Sequence, residues 1–371
     1  MEFSHSLISW YNRSKRDLPW RTTNDPYRIW VSEIILQQTR VQQGLSYYNR
    51  FIEKFPDIQT LAGADENEVL KVWEGLGYYS RARNMLIAAR QISSGHGGLF
   101  PSTYDDLLTL SGIGDYTAAA ITSIAYGLPY PVIDGNVKRV VSRLLGIRGR
   151  LDMQENRKIL SVFLQENIDK EDPGTFNQAV MELGALVCKP SLPDCGLCPL
   201  SVSCVAYKSG LTHLIPFRKE QTVKVELYRD YFVILSGVED DRQLLISRSS
   251  GSGIWKGLFG FPYRESSGSF PDAGELKHFL LSLLPLRKVR HVSIADNAYR
   301  HVLSHRIIHA RFHFIEATGL NADPETAYPV HLNSIHQYPF PRLLKRFMEE
   351  HPEMFVKKIA SERGTKSDFR D

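Results

Sequence analysis

The sequence predicts a mainly α-helical unit followed by a smaller α+β unit, with a cluster of cysteines between them. Three observations carry this expectation. Helix starts recur ahead of the cysteines, at Asp25-Pro26, Gly114-Asp115 and Asp134-Gly135. All four cysteines then fall within 17 residues. From Val223 the pattern changes from helix to strand, with apolar residues alternating against polar ones. A length of 371 residues suits two domains at ~150 residues each.

Composition narrows the class. With 43% hydrophobic and 23% charged residues the chain is ordinary for a soluble globular protein. No stretch approaches the ~18–20 continuous apolar residues of a membrane span. Met1-Glu2-Phe3-Ser4-His5 also lacks the basic-then-apolar start of a secretory signal. A cytoplasmic protein without membrane contact is expected. Net charge is +4, but residues 1–210 hold 22 Lys/Arg against 22 Asp/Glu, while 211–371 hold 23 against 19. A nucleic-acid role must therefore rest on local basic clusters. Two are present: Arg81, Arg83 and Arg90, and Lys138, Arg139, Arg143, Arg148 and Arg150.

The first helix start is an aspartate N-cap with proline at the first helical position. The run Pro26-Tyr-Arg-Ile-Trp-Val-Ser-Glu-Ile-Ile-Leu-Gln-Gln-Thr39 then sets Glu33 in an apolar neighbourhood beside Ile29, Trp30 and Ile34. A helix glutamate is ordinarily a surface residue. One held among Trp and Ile would have its acid form favoured by desolvation.

Next comes Leu110-Ser-Gly-Ile-Gly-Asp-Tyr-Thr-Ala-Ala-Ala-Ile121. Gly112 and Gly114 allow a sharp turn, and Asp115 reads as the N-cap of the helix that follows. Such a turn aims amides and a helix N-terminus outward, a ready site for a DNA phosphate. By itself Gly-x-Gly is only a helix–helix turn. Asp134, ahead of Gly135-Asn136, is by itself another N-cap. Flanked by backbone donors, its carboxylate is expected to stay ionised.

The cysteines run Cys188-x6-Cys195-x2-Cys198-x5-Cys204. In a cytoplasmic protein clustered thiols point to metal rather than to disulfides. Structural zinc usually takes two tight pairs. One tight pair flanked by two looser ligands suits a larger object, a cubane on four thiolates, with zinc or unligated thiols as alternatives.

In the second unit Tyr231–Leu235 and Gln243–Ser247 flank an acidic turn and read as a hairpin. Ile308, Ala310, Phe312 and Phe314 alternate with His309, Arg311 and His313, a half-buried strand. Helices are expected near Pro271–Leu284 and over Pro341–Glu350.

These segments together resemble the endonuclease III and MutY glycosylases. The stretch Leu186–Cys204 matches the iron–sulfur loop of that superfamily at every ligand, and Ser32-Glu-Ile-Ile-Leu-Gln-Gln-Thr39 resembles the MutY signature. Leu18-Pro-Trp-Arg21 and Trp73–Asn84 match further blocks, so the resemblance is nearly unbroken from about residue 7 to 205. With Val132–Arg143 following the Gly112 turn, that turn reads as a helix-hairpin-helix. In the second unit Gly253–Pro262 looks like the stretch before the metal helix of Nudix hydrolases, but residues 263–284 offer only Glu265 and Glu275 where that helix needs clustered carboxylates. His301-Val-Leu-Ser-His305 resembles the 8-oxoguanine-reading loop of MutY, with Leu303 in place of its aromatic.

The resemblance implies a mainly α helix-hairpin-helix glycosylase domain with a 4Fe–4S loop over residues 1–205, a linker over 206–226, an α+β Nudix-like domain over 227–353 and a tail over 354–371. It implies a monomer, associated with the nucleoid, that removes adenine mispaired with 8-oxoguanine or guanine in double-stranded DNA. Glu33 and Asp134 would be the catalytic pair, oriented by Tyr116 and Asn136. Arg21, Leu36, Gln38, Tyr78, Gly112, Gly114, Lys138, Ser304 and His305 would touch DNA, and Cys188, Cys195, Cys198 and Cys204 would hold the cluster. The bifunctional branch of the superfamily carries a lysine nucleophile where this chain has Tyr116, which implies a monofunctional enzyme. A glycosylase/lyase for oxidised pyrimidines and a catalytically silent lesion binder are the competing readings.

Overall fold

The computed structural model describes residues 2–151, 153–217, 223–238, 241–250, 253–283, 289–294, 298–320 and 327–355. The tail expected from residue 354 lies almost wholly outside them. The chain divides into two compact units, Met1–Gln221 and Thr222–Asp371.

The first unit is helical: α1 (Glu2–Ser14), α2 (Pro26–Leu36), α3 (Val41–Lys54), α4 (Ile58–Gly63), α5 (Glu66–Val72), α6 (Ser80–Gly95), α7 (Tyr104–Leu108), α8 (Asp115–Tyr126), α9 (Gly135–Leu145), α10 (Gln154–Asn167), α11 (Pro173–Leu186) and α12 (Val205–Lys208). Short polar caps set the boundaries. Asp25 accepts from the Tyr27 amide ahead of Pro26, Asp134 from the Val137 amide, and Asp172 from the Thr175 amide; each satisfies a donor that the helix cannot. Asp115 departs from expectation. Gly114 is the N-cap of α8, and Asp115 sits one residue inside it, accepting from the Tyr104 hydroxyl at 3.2 Å. Its charge still complements the positive end of the helix.

Helices α1, α9 and α11 share a core that includes Leu7, Trp10, Val140, Phe176, Val180 and Leu183. Helices α9 and α11 pack tightly at Gly184, where a Cβ would meet the Asn136 Cβ at 2.6 Å. Of the stretch expected as a linker, residues 206–217 belong to this unit: Ala206 and Ile215 are buried, and the Ile215 carbonyl accepts from Arg143.

The second unit is a mixed sheet of β1 (Val225–Ser236), β2 (Gln243–Arg248), β3 (Phe259–Gly260), β4 (Tyr263–Ser267), β5 (Val289–Ile294), β6 (Tyr299–Val302), β7 (Arg306–Ala317) and β8 (Tyr328–His331), with helices α13 (Ala273–Leu283), α14 (Arg342–Glu350) and α15 (Pro352–Phe355). The order is β3-β2-β1-β7-β5, with β4 on β1, β6 on β7 and β8 on β2. Strands β1 and β7 run parallel from Val225↔Arg306 to Ser236↔Ala317. The expected hairpin forms, with Leu235 opposite Leu244.

Strand β7 is not half-buried along its whole length. Ile308, Ala310, Phe312 and Phe314 face one core with Phe347 of α14, whereas Ile315 and Ala317 join a second core with Leu280 of α13. His313, expected to face solvent, is buried, 2.7 Å from the Asp230 carboxylate and stacked on Phe232. A strand covered on both faces loses the polar alternation of a one-sided sheet.

Among the described residues no helix is long and apolar enough to cross a membrane.

Candidate active site

The two candidate carboxylates share one cavity. Its volume is about 450 Å³, and Glu33, Asp134, Tyr116, Asn136, Met181 and Glu182 stand on its wall. Glu33 reaches it from α2, which is buried along most of its length, and the residue is only 7% exposed. Tyr116, from the first turn of α8, donates its hydroxyl to Glu33 Oε2 at 2.5 Å. Burial lifts the Glu33 carboxyl to about 7; the Tyr116 bond and the Arg21 charge oppose that lift, and the Asp134 charge adds to it. Burial beside Glu33 also holds the Tyr116 phenol well above its ordinary value. At neutral pH it is a neutral donor.

Asp134 is at once a helix cap and part of the cavity wall. It caps α9, taking the Val137 amide at 2.7 Å and the Asn136 Nδ2 at 3.0 Å, and it faces the cavity. Burial outweighs these donors and raises its pKa from the ordinary value. Asn136 is itself fixed, its Oδ1 accepting from Arg139 at 2.8 Å. The Arg139 guanidinium continues to the Gly184 and Cys188 carbonyls.

One wall was not singled out from the sequence. Glu182 of α11, 1% exposed, is clasped by Arg16 and Arg21, with Arg21 contacts of 2.9 and 2.8 Å. Burial works against its charge, but the hydrogen bonds from Arg21 and then Arg16 overcome it and hold its pKa at about 2. Arg21 thus lines the cavity with its fork engaged by Glu182. The signal that exposed Glu33, an acid inside an apolar helix run, was equally present around Glu182 between Val180 and Leu183.

The other residues expected at DNA fall in four places. Leu36, Gln38 and Tyr78 lie at the end of α2 and in the turn before α6; Gln38 and Tyr78 are exposed, and both adopt left-handed backbone, φ 58 and 49. Gly112, with φ 78, and Gly114 are exposed in the turn ahead of α8, and Gly112 must be glycine because a Cβ would meet Asn84 at 2.7 Å. Lys138 lies half-exposed on α9 one turn past Asp134. Ser304 and His305 are exposed where β6 turns into β7, and Leu303 packs under them against the β-sheet core. The basic clusters are less available than expected. Arg81, Arg90, Arg139 and Arg143 all direct guanidinium groups at backbone carbonyls.

The four cysteines line a second, smaller cavity with Arg143 and Tyr207. Among the described residues no three thiol, imidazole or carboxylate groups converge as they would around a single ion. Arg143, 2% exposed, directs its guanidinium at Cys188 Sγ, 3.3 Å away. A buried cation beside these thiols suits an anionic, thiolate-bound group.

Residues 31–166 match the family described as HhH-GPD superfamily base excision DNA repair protein, and residues 231–350 the NUDIX domain. The chain is 36% identical to the adenine DNA glycosylase of Buchnera aphidicola subsp. Schizaphis graminum, over 70% of this chain and 74% of that protein. It is 44% identical to the Homo sapiens adenine DNA glycosylase, over 55% of this chain and 39% of that one. Among solved structures a thermostable thymine-DNA glycosylase matches with a TM-score of 0.52 and 29% identity, covering 56% of this chain and 95% of that chain. The chain belongs to the adenine DNA glycosylase family, hydrolases of N-glycosyl bonds that act in base excision repair.

Proposed function

We propose that this enzyme removes adenine mispaired with 8-oxoguanine or guanine in double-stranded DNA, and that Glu33 and Asp134 carry the chemistry. The observation that supports this is the shared cavity, which sets a protonated carboxyl and a capped carboxylate around one space. Adenine is a poor leaving group, and positive charge develops on the sugar as it leaves. Glu33 donates its proton to adenine N7 while the C1′–N9 bond breaks and its electron pair goes to the base. Asp134 meets the cationic sugar at C1′, either as a fixed anion or through a transient ester. Glu33, now ionised, takes a proton from the water that attacks C1′. Tyr116 and Asn136 hold the two carboxyl groups in place.

The base must first leave the stack. Gln38, Leu36 and Tyr78 fill the gap, and the Gly112 turn and Lys138 hold phosphates. With a neutral Tyr116 in place of an amine, no Schiff base forms at this position. Cys188, Cys195, Cys198 and Cys204 would hold a 4Fe–4S cluster, which supplies a fold-shaping centre and no step of the base chemistry. Ser304 and His305 read the 8-oxo edge and a neighbouring phosphate. Action on DNA in this way is that of a monomer working at the nucleoid in the cytoplasm.

Duplexes holding A:8-oxoguanine, A:G or A:T, incubated with the enzyme and then treated with alkali, test the reading. Cleavage of the A strand in the first two and not the third is expected. A Glu33→Gln chain with full activity would remove Glu33 from the mechanism.

A further inference from the structure

We infer that Arg81 is a positioning residue for base extrusion: one guanidinium holds both wedge residues, Gln38 and Tyr78, in their left-handed conformations before DNA arrives. This rests on the wedge reading above, and it adds what sets the wedge.

Left-handed backbone is uphill for a residue with a Cβ, so a fold that shows it must impose it. Two exposed side chains on separate segments share the feature, Gln38 with φ 58 and Tyr78 with φ 49. The φ of a residue is a rotation of the peptide plane that precedes it. The carbonyls of those two planes belong to Gln37 and Gly77. Arg81 donates to both, Nη1 to Gln37 O at 2.7 Å and Nη2 to Gly77 O at 3.1 Å. The same Nη1 takes the Ile34 and Ile35 carbonyls at the end of α2, at 2.7 and 3.2 Å. The guanidinium carbon also lies 5.5 Å from the Tyr78 ring centre and 5.2 Å from that of Trp73.

Only a planar fork can bridge these carbonyls together; an ammonium has the charge without the geometry. Burial pushes the Arg81 pKa down to about 10, so it remains cationic at neutral pH, complemented by the carbonyl end of a helix. Prongs ordered in the free protein do not lose that freedom on entering the stack.

Arg81→Ala uncaps α2 and can unfold it, so Arg81→Lys carries the test. Extrusion is read in a Glu33→Gln background from the fluorescence of 2-aminopurine placed opposite 8-oxoguanine. Arg81→Lys should lower extrusion by roughly tenfold or more. Its affinity for an undamaged duplex should hold, and with Glu33 restored the pH midpoint of cleavage should stay at about 7. The loss should shrink when Gln38→Ala is already present.

Normal extrusion by Arg81→Lys overturns the proposal, as does an equal loss of undamaged-duplex binding, which would mark a merely structural cap. Gln38→Ala and Tyr78→Ala run in parallel keep the two ideas apart. If both extrude normally the wedge reading itself falls. If both are defective and Arg81→Lys is not, only the role of Arg81 falls.

Discussion

Glu33 titrates near neutrality because burial penalises its anion more than Tyr116 and Arg21 relieve it. Its pKa rises from 4.5 to about 7 on folding, so the native state binds this proton more tightly than the unfolded chain does. The stability this provides is complete below pH 4.5 and is lost as pH rises through about 7, a change of up to ~3 kcal/mol. Activity should follow the same proton: single-turnover adenine release should decline above pH about 7. Glu33→Gln should cost roughly 10²- to 10⁴-fold in rate and abolish both the basic limb of the profile and the matching slope in stability. An unchanged basic limb in Glu33→Gln would assign it to another group. Glu182 runs the opposite way. Its pKa is depressed to about 2, so its contribution is present above 4.5 and lost as pH falls toward 2. Removing it strands two partly buried arginines, and Glu182→Ala should cost about 3 kcal/mol in urea unfolding. The contrast bears on what a sequence discloses. Glu33 was legible because an acid in an apolar run coincided with a known signature. Glu182 had the run without a signature, and its arginine partners lie more than 160 residues away along the chain. The upward shift of the Asp134 pKa was not legible, because its donors are local and visible while its burial comes from helices distant in sequence.

Helix contacts translate these residues into a cavity. Asp134 is at the N-terminus of α9, and Asn136 in the first turn packs tightly against Gly184 of α11. Gly184→Ala would set a methyl 2.6 Å from the Asn136 Cβ, so α11 must shift, at a cost of about 1–3 kcal/mol. Because that shift moves Asn136 and the Arg139 bond to Gly184 O together, adenine release should fall more steeply than stability; a variant that loses only melting temperature would detach Asn136 from catalysis. The end of α2 gives the reverse trade. Gln38→Gly relieves the left-handed backbone at φ 58 and should stabilise the chain by about 1 kcal/mol, while 2-aminopurine extrusion falls because the prong is gone. Element existence was readable from Asp-Pro and Asp-Gly starts and from strand alternation. Asp115 was misassigned as a cap because Gly114, with no side-chain oxygen, already holds that position. His313 was misassigned to solvent because alternation cannot register a helix on the second face of a sheet.

Each unit of the molecule has its own core, one built around α9 and α11 and the other on both faces of the β-sheet. The change at Val223 was legible because helix and strand periods differ. The end of the first unit was not, since residues 206–217 carry no strong period and fold through Arg143, whose guanidinium reaches the Ile215 carbonyl at 2.8 Å. Separate cores make a division of labour testable. Every candidate group for bond cleavage is in the first unit, whereas Ser304 and His305 stand exposed on the β6–β7 turn of the second, with Leu303 seating that turn on the core. A chain ending at residue 217 retains Ile215 and the helical core. It should still release adenine opposite guanine while losing its preference for adenine opposite 8-oxoguanine. Ser304→Ala in the full chain should reproduce part of that loss, about tenfold in the ratio of single-turnover rates for the two duplexes, the size of one unmade hydrogen bond. The seating predicts a second difference. Leu303→Ala leaves Ser304 in the chain but frees the turn beneath it, so the ratio should fall as it does for Ser304→Ala. If both substitutions leave the ratio at its wild-type value while the truncated chain loses it, the second unit reads the lesion through some other surface. If the truncated chain keeps the ratio, the discrimination lies in the helical unit.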